Sequence, residues 1–478
     1  MLKILTKYCI IKVMQDTIIS LRKKLNTFGE KFSTFFYGGY FPVYLALVIT
    51  ICYTANLALL GLAVCSILAS VIFLCYKDSS PIIPILFMVV LCFRDYTIMG
   101  KIWGYIILLP AIFSLVAKFI IYPIKELKHG KLTLALILVT VAFICGGIGV
   151  SGYNFFKGLA PILTLGPTML IIYLFFSNTI SPPKNFDIKK YLCYCLVVSA
   201  FTMIAHVIVV KLCFSSMLPE LGWANINTPA SFLCLAIPAC YYLVIKANNI
   251  KPLLITLFLL YASFIFVSSD AVMGLVALFT PILMYFTYRN LQRKDRNLYL
   301  LFVVTSIGCA VVFLATVFLS HGVDHVGETV SNIFSDNGRT ALYKEALKLF
   351  YNNPLFGVGA GYENYESELI TNGLRIYSFH STFFHVIATM GLVGLGAYVF
   401  YYVQRFKILM KNYNVFTVCM CVAFIIFECY AMVDACEFNA IPLMSAVTMI
   451  ITIVELTKKG NEQTPLPLSL NRKTGYHF

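Results

Sequence analysis

Long apolar runs separated by short polar segments recur along the chain from about residue 41 to residue 456. Many are close to the ~20 residues that an α-helix needs to cross the hydrocarbon core of a bilayer. The pattern predicts twelve to fourteen spans, and the division of the first two candidates is the least distinct because they form one apolar run without a charged break. The candidates lie near 41–55, 56–76, 82–97, 103–122, 131–151, 159–178, 189–213, 229–247, 252–269, 271–288, 299–320, 380–403, 415–432 and 438–456. The predicted fold is therefore an all-α, polytopic transmembrane helical bundle.

Three further segments complete the predicted organisation. Residues 1–40 are amphipathic and basic, and they lack the apolar core and cleavage site of a signal peptide. They are predicted to be cytoplasmic, as is a tail at 457–478, which leaves a membrane domain at 41–456. Within that domain, one connection of residues 321–379 is far longer than the others.

Composition and charge fit this topology. Only 12% of the residues are charged, against about 25% in soluble proteins, and 60% are apolar. With the N-terminus in the cytoplasm, nearly every basic cluster falls in a loop predicted to be cytoplasmic, as the positive-inside rule requires. The net charge of +15 is thus a topological signal, and no basic face of a soluble domain indicates nucleic-acid binding. The clusters are Lys77, Lys125/Lys128/Lys131, Lys184/Lys189/Lys190, Lys246/Lys251, Arg289/Arg293/Lys294/Arg296, Arg405/Lys407/Lys411 and Lys458/Lys459/Arg472/Lys473.

No residue pattern predicts a metal or a cofactor. The sixteen cysteines are scattered, and the pairs Cys193/Cys195 and Cys419/Cys421 have C-x-C spacing, which is not that of a zinc site. His321 and His325 could suggest a metal site, but they would share a face only on a helix that Gly322 disfavours. A solvated loop is the preferred interpretation, since no third ligand is evident.

The long loop is predicted to lie outside the membrane and to contain a helix. Structureless loops beyond ~15 residues are uncommon and usually functional. Within NGRTALYKEALKLFY (337–351), apolar residues recur at helical spacing and Arg339 lies on the polar side, so the segment predicts an amphipathic helix able to lie on a membrane surface. The apolar positions are Leu342, Ala346, Leu349 and Phe350.

Alternating glycines follow that helix in PLFGVGAGYENY. Gly357, Gly359 and Gly361 could let backbone N–H groups approach an anion closely, and a flexible turn is the alternative.

The stretch HSTFFHVIATMGLVG begins at the outer end of a predicted span. Gly391 and Gly394 share a helix face, which suggests close packing of a neighbouring helix. On a continuous helix, His385 would lie about 140° around from His380, so both imidazoles could not face one site. His380 is either a catalytic residue or a structural residue at the interface.

These three segments together resemble the O-antigen ligase/O-antigen polymerase superfamily. That family has a Gly-Arg before a helix, a Pro-Leu-x-Gly-x-Gly segment, and a His followed by Asn, Ser or Gln, nine residues and Gly-x-x-Gly. His380-Ser381, nine residues and Gly391-x-x-Gly394 fit the last pattern position by position. The match covers residues 335–396, with a weaker echo in GWANINTPASFLCLAIP (222–238).

The resemblance implies metal-independent glycosyl transfer at the outer face of a bacterial cytoplasmic membrane. The donor would be a glycan on polyprenyl pyrophosphate, such as undecaprenyl pyrophosphate, and the acceptor a glycan or lipid-linked sugar. Arg339 would clamp the pyrophosphate, because a guanidinium presents two parallel donors to phosphate oxygens. His380 would be the general base, since an imidazole is largely neutral near neutral pH.

Other charged residues are weaker candidates for the same site. Arg94 and Lys211, near outer ends of the third and seventh spans, together with Gly357 and Gly359, could bind the pyrophosphate. Alternatively, Arg94 neutralises its neighbour Asp95, and Lys211 snorkels to the interface. Many family members have an Arg where this chain has Asp270, and an Arg near the position of Lys211. The sequence does not choose which acidic residue could orient His380 among Asp270, Glu428, Asp434 and Glu437.

The expected function is polymerisation of a cell-surface polysaccharide of the O-antigen or capsule type. A ligase that moves finished glycan to another acceptor is the alternative within the superfamily. A flippase or transporter of lipid-linked oligosaccharide is the alternative of another class. It is disfavoured because transporters are commonly built from repeated halves, and no repeat is evident.

Overall fold

The computed structural model is helical, with no strand among the residues that it describes. These are residues 2–94, 102–151, 153, 155, 156, 159, 162, 163, 166–213, 221–223, 227–267, 270–309, 311, 312, 339–359, 379–434 and 441–457, with side chains from residue 15 apart from 270 and 271. The predicted all-α class is confirmed. The chain divides into two compact units, Met1–His129 with Leu174–Trp223 and Gln463–Phe478, and Gly130–Tyr173 with Ala224–Glu462.

Helices of the first unit begin close to the N-terminus. They are α1 (Leu2–Phe36), α2 (Tyr40–Thr54), α3 (Ala58–Cys75), α4 (Ile83–Met88, continued by a 3-10 turn at Val89–Cys92) and α5 (Ile102–Ile121). The second unit contains α6 (Thr133–Cys145), and α7 (Thr168–Thr179) passes from one unit to the other. Helix α8 (Ile188–Cys213) belongs to the first unit.

The remaining helices belong to the second unit. They are α9 (Asn227–Lys246), α10 (Lys251–Ala262), α11 (Asp270–Asn290), α12 (293–309), α13 (Arg339–Asn352), α14 (Thr382–Lys411), α15 (Val415–Ala431) and α16 (Ile441–Leu456).

Every one of the fourteen predicted spans overlaps a helical segment. Among the described residues, six helices are long and apolar enough to cross a membrane, and a bent pair formed by α1 and α2 makes a seventh candidate. Six shorter apolar helices, which include α6, α7, α15 and α16, bring these segments to thirteen. The chain is therefore a multi-pass membrane protein.

One predicted span was too long, and glycines explain the difference. The sequence predicts helix over 131–151, but α6 ends at Cys145 because Gly146 leaves helical geometry and Gly147 has φ +86°. Left-handed backbone of this kind is readily available only to glycine. In the span predicted at 159–178, the described residues 159, 162 and 163 are helical, and α7 begins at Thr168 after Gly166-Pro167.

Burial separates interior from peripheral helices. In α9, 94% of the most apolar window is buried, whereas only 22% is buried in α5 and α11. Large apolar side chains on α5 are open to the surroundings, such as Ile102 and Phe113, 68% and 67% exposed. Such a surface is unfavourable in water but matches lipid, so α5 and α11 are best understood as lipid-facing.

Arg405 occupies a different position from the one predicted. The charge pattern assigned it to a cytoplasmic loop, but it lies within α14 and its side chain is 4% exposed. Its guanidinium donates to the carboxylate of Glu428 at 2.7 Å and lies 4.4 Å from the centroid of the Phe424 ring. A charge inside a bundle requires such a partner, because its desolvation is costly.

We expect Glu428→Gln to lower the stability of the protein markedly. Removing one partner of a buried ion pair costs about 3–5 kcal/mol, and the partial exposure of Glu428 places the expected loss at the lower end. Thermal unfolding of the purified protein in detergent measures the effect. Glu345→Gln is the matched control, because its partner Lys348 is 58% exposed and such pairs contribute about 0–1 kcal/mol. Equal shifts in the two variants would contradict this interpretation.

Candidate active site

The helix predicted in the long loop is present and packs against the start of α14. The sequence predicts it over 337–351, and α13 runs from Arg339 to Asn352. Its buried Ala346 and Leu349 contact the cluster of Val358, Phe379 and Ala388. Much of the apolar face of α13 is therefore covered by protein, rather than lying on a membrane surface as predicted.

The segment after α13, residues 353–359, forms a strap across a break in α14. The break lies at Gly391, where the backbone leaves helical geometry. On the N-terminal side of the break, the carbonyls of Ala388 and Thr389 accept hydrogen bonds of 2.8 and 2.9 Å from the N–H groups of Val358 and Gly359.

On the C-terminal side of the break, the direction of donation is reversed. The N–H groups of Leu392 and Val393 donate to the carbonyls of Pro354 and Leu355 at 2.8 and 3.1 Å. A broken helix inside a membrane protein must have its freed backbone groups satisfied by protein or water. The strap satisfies two carbonyls and two N–H groups.

Glycines make this contact possible. Gly391 has φ +62° and ψ −152°, and a Cβ there would lie 2.5 Å from the carbonyl carbon of Leu355. Gly357 has φ +61°, and a Cβ there would lie 2.5 Å from the carbonyl oxygen of Ala388. The predicted packing of a neighbouring helix on Gly391 and Gly394 was wrong: the strap contacts Gly391, and a Cβ on Gly394 would meet side chains of α14 itself, including that of Met390.

His380 precedes α14 and does not belong to it. Its backbone is left-handed, with φ +44°, and α14 starts at Thr382. The argument that placed His385 140° around a common helix therefore does not apply. The Tyr343 hydroxyl of α13 donates to the His380 carbonyl oxygen at 3.2 Å, and its ring stacks on Phe384 with centroids 4.3 Å apart. Helix α13 thus holds the backbone of His380 in place.

The imidazole of His380 faces a buried carboxylate. Its Nδ1 lies 3.5 Å from Oδ1 of Asp434, whose side chain is 1% exposed, whereas that of His380 is 41% exposed. The Tyr430 hydroxyl donates to Oδ2 of Asp434 at 3.2 Å, and the Asp434 N–H donates to the Tyr430 carbonyl at 3.0 Å. The end of α15 therefore positions Asp434. A carboxylate at Nδ1 favours the tautomer protonated there and leaves Nε2 as the basic nitrogen.

Of the two acidic candidates whose side chains the structure describes, Asp434 is the one that faces His380. Glu428 pairs with Arg405. Asp270 begins α11, but its side chain is outside the described part of the chain, and so is Glu437. The sequence analysis missed Tyr343 and Tyr430. Tyr343 follows Arg339 by four residues and Tyr430 precedes Asp434 by four, and this helical spacing was the signal that could have identified them.

Arg339 is the first residue of α13, one turn before Tyr343. Four residues of helix rise about 6 Å, and residues at this spacing share a face. The first turn of a helix also has unpaired N–H groups, which favour anions. Arg339 therefore lies one helical turn from the tyrosine that contacts the His380 backbone.

Residues 214–399 match a family model described as O-antigen ligase. The match supports a relationship of this segment to the O-antigen ligase/O-antigen polymerase superfamily. The resemblance drawn from residues 335–396 is confirmed, and the matched segment also includes α9–α12. A comparison with curated proteins found no match.

The two glycines predicted to bind pyrophosphate lie in the strap, within the matched segment. The N–H of Gly357 donates to the carbonyl of Asn353 and that of Gly359 to the carbonyl of Thr389, both at 2.9 Å. Both N–H groups already donate to protein carbonyls. Close contact between backbone segments is therefore enough to explain glycine at these two positions. Their contact with pyrophosphate remains a prediction.

Arg94 and Lys211 lie outside the matched segment and belong to the first unit. Arg94 follows the 3-10 turn Val89–Cys92, Lys211 lies in the last turn of α8, and both are partly buried. Gly222 packs directly on Arg94, since a Cβ there would lie 2.6 Å from its Cα.

Trp223, the residue after Gly222, belongs to a cluster of aromatic side chains. The buried His206 ring stacks on Tyr53 with centroids 4.0 Å apart, and Trp223 lies 6.2 Å from it. Neither nitrogen of His206, nor Nε1 of Trp223, has a protein partner among the described residues. Buried polar atoms are nearly always hydrogen-bonded, so the partners of these nitrogens lie beyond the described side chains.

No cluster of three or more metal-binding side chains occurs among the described residues. His321 and His325 lie outside them. A metal-free site therefore stays a prediction.

Proposed function

We propose that this chain transfers a glycan from a polyprenyl-pyrophosphate donor to a glycan acceptor, and that it thereby polymerises a cell-surface polysaccharide. The observation on which the proposal rests is the His380–Asp434 pair, held beside the helix that begins with Arg339. The imidazole of His380 is partly exposed, and the buried carboxylate of Asp434 orients it. Arg339 lies one helical turn from Tyr343, the tyrosine that fixes the His380 backbone. The match to the O-antigen ligase family model supports a lipid-linked glycan as the substrate class.

In this proposal His380 is the general base. Nε2 accepts the proton of the acceptor hydroxyl as the hydroxyl oxygen forms a bond to the anomeric carbon of the donor sugar. The bond from that carbon to the pyrophosphate oxygen breaks, and polyprenyl pyrophosphate leaves with the electron pair. Asp434 is a positioning residue that stabilises the imidazolium formed in the step.

Arg339 stabilises the negative charge that grows on the leaving pyrophosphate. Guanidinium–phosphate contacts are charge-assisted and bidentate, so they strengthen as the bond breaks. Arg94, Lys211, Gly357 and Gly359 are proposed as additional contacts to the pyrophosphate. The basic clusters support an orientation with both termini in the cytoplasm and His380 at the outer face of the bacterial cytoplasmic membrane.

A ligase that transfers finished glycan to a lipid or protein acceptor is the second candidate, since the matched family is described as O-antigen ligase. The same base and cation serve both reactions, which differ only in the acceptor. A flippase would not need the His380–Asp434 pair.

The composition of lipid-linked glycans in a deletion strain tests the proposal. With a polymerase, deletion leaves single units on the outer face, and the wild-type chain restores long glycans. Long lipid-linked glycans in the deletion strain would establish the ligase, and units retained on the inner face would establish the flippase.

Arg339→Ala is expected to reduce glycan transfer by about 10²–10³-fold, because it removes a donor to the developing charge. Lys344→Ala is the matched control: it removes a positive charge from the same helix, but Lys344 is exposed and lies about 140° around from Arg339. Chain-length distributions at equal membrane abundance report the outcome. Equal activity in the two variants would show that Arg339 does not contact the donor.

A further inference from the structure

Helix α1 has a basic face that the protein leaves uncovered. Lys23, Lys24 and Lys31 are exposed, and the exposed rings of Phe28 and Phe32 lie 5.1 Å apart beside them. The side chains of this face line a shallow groove formed by Lys23, Lys24, Thr27, Phe28 and Lys31. The groove therefore combines positive charge with an aromatic wall.

The opposite face of α1 is fixed to the first unit. The Tyr122 hydroxyl donates to the Asn26 side chain at 2.6 Å, and the Tyr76 hydroxyl donates to the Gly29 carbonyl at 2.5 Å. The Arg22 guanidinium lies 5.0 Å from the centroid of the Tyr122 ring. These contacts set the rotation of α1, so the lysine face points away from the unit.

The axis of α1 is set by its bend to α2. Gln15–Phe36 and Tyr40–Thr54 meet at 78°. The sequence predicts a span over 41–55, and a helix at 78° to a segment that crosses the bilayer runs close to the plane of the membrane. The charged residues of α1 also argue against a bilayer crossing, since each would be costly in hydrocarbon. They are Lys3, Lys7, Lys12, Asp16, Arg22, Lys23, Lys24, Glu30 and Lys31.

We propose that α1 lies in the headgroup layer of the cytoplasmic leaflet and that its groove binds the phosphate of an anionic phospholipid. Leu21, Phe28 and Phe32 recur at i, i+7 and i+11, so they share an edge that can enter the acyl region beside the lysines. Basic residues at this depth attract anionic lipids, each by about fivefold in partitioning. This inference is independent of the glycan-transfer proposal.

The test reconstitutes the full chain with Phe28→Trp into bilayers of phosphatidylcholine with a minority of phosphatidylglycerol. Two samples of the same lipid composition are compared. In one the acyl chains of phosphatidylcholine carry the bromine quencher, and in the other those of phosphatidylglycerol carry it. We expect brominated phosphatidylglycerol to quench the fluorescence of the introduced indole several-fold more than its mole fraction predicts, after subtraction of the signal from the chain without the substitution. The enrichment should fall sharply at 1 M salt, where the Debye length is about 3 Å.

Lys23→Gln/Lys24→Gln/Lys31→Gln should reduce quenching by phosphatidylglycerol to its mole fraction. Lys125→Gln/Lys128→Gln/Lys184→Gln, which removes the same charge from other exposed lysines, should preserve the enrichment. Quenching in proportion to mole fraction in the parent, or no quenching by either lipid, would overturn the proposal. Enrichment that survives in the first triple variant would also overturn it.

Discussion

Replacing His380 by alanine is expected to lower glycan transfer by about 10²–10⁴-fold, the usual range for loss of a positioned general base. The variant should retain near-normal stability, because the His380 side chain is 41% exposed and the hydrogen bond from Tyr343 is to its backbone. The measurement is glycan chain length in a deletion strain at equal membrane abundance, followed by the rate with purified protein and lipid-linked donor. His129→Ala is the control, since His129 is exposed and lies in the first unit.

Substitutions of Asp434 and of its hydrogen-bond partner Tyr430 should lower glycan transfer by graded amounts. Asp434→Asn keeps the shape of the side chain but removes the charge that stabilises an imidazolium, so a loss of about 10–100-fold is expected, as for other residues that orient a functional histidine. Tyr430→Phe removes one hydrogen bond to Asp434 and should cost less. A steric role for Asp434 would leave the pH dependence of the rate unchanged in Asp434→Asn, whereas an orienting role would shift it. Full activity in His380→Ala would show that the base lies elsewhere.

Helices and their order were largely predictable, because apolar runs and helix stops are local signals. The end of α13 at Asn352 follows from the Asn353-Pro354 that comes next, since the residue before a proline disfavours helix. Failures occurred where a distant segment decides the structure. The break in α14 depends on contact with the strap. The sequence periodicity around Gly391 instead predicts one continuous helix.

The candidate site was predictable only in part, for the same reason. Arg339 and His380 came from a motif resemblance, which does not report what lies between them. The choice of Asp434 over Glu428 could not be made, because both are acidic residues near the end of an apolar run. The structure separates them by partner: Arg405 for Glu428 and His380 for Asp434. The left-handed backbone of His380 has no sequence signal comparable to a glycine.

The strap suggests the second large effect, that of Gly391→Ala. The φ of +62° and ψ of −152° at Gly391 belong to a region essentially restricted to glycine, where another residue costs about 1–3 kcal/mol. The new Cβ would in addition lie 2.5 Å from backbone atoms of Leu355, which cannot move without breaking the strap hydrogen bonds. We expect a large loss of thermal stability and of glycan transfer. Gly396→Ala is the matched control on α14, because nothing lies within 4 Å of a Cβ there and alanine is the better helix former.

Gly357→Ala should resemble Gly391→Ala, since its Cβ would press on the backbone at Ala388 from the other side of the same contact. The two substitutions disrupt one set of hydrogen bonds, so the double variant should lose clearly less stability than the sum of the single losses. Additive losses in thermal unfolding would mean that the two glycines act independently and that the strap does not hold the break together.

The coupling of the strap to α14 has a consequence for glycan transfer. His380 stands at the start of the same helix that the strap crosses, so a loosened strap should lower the rate with bound donor more than the affinity for it.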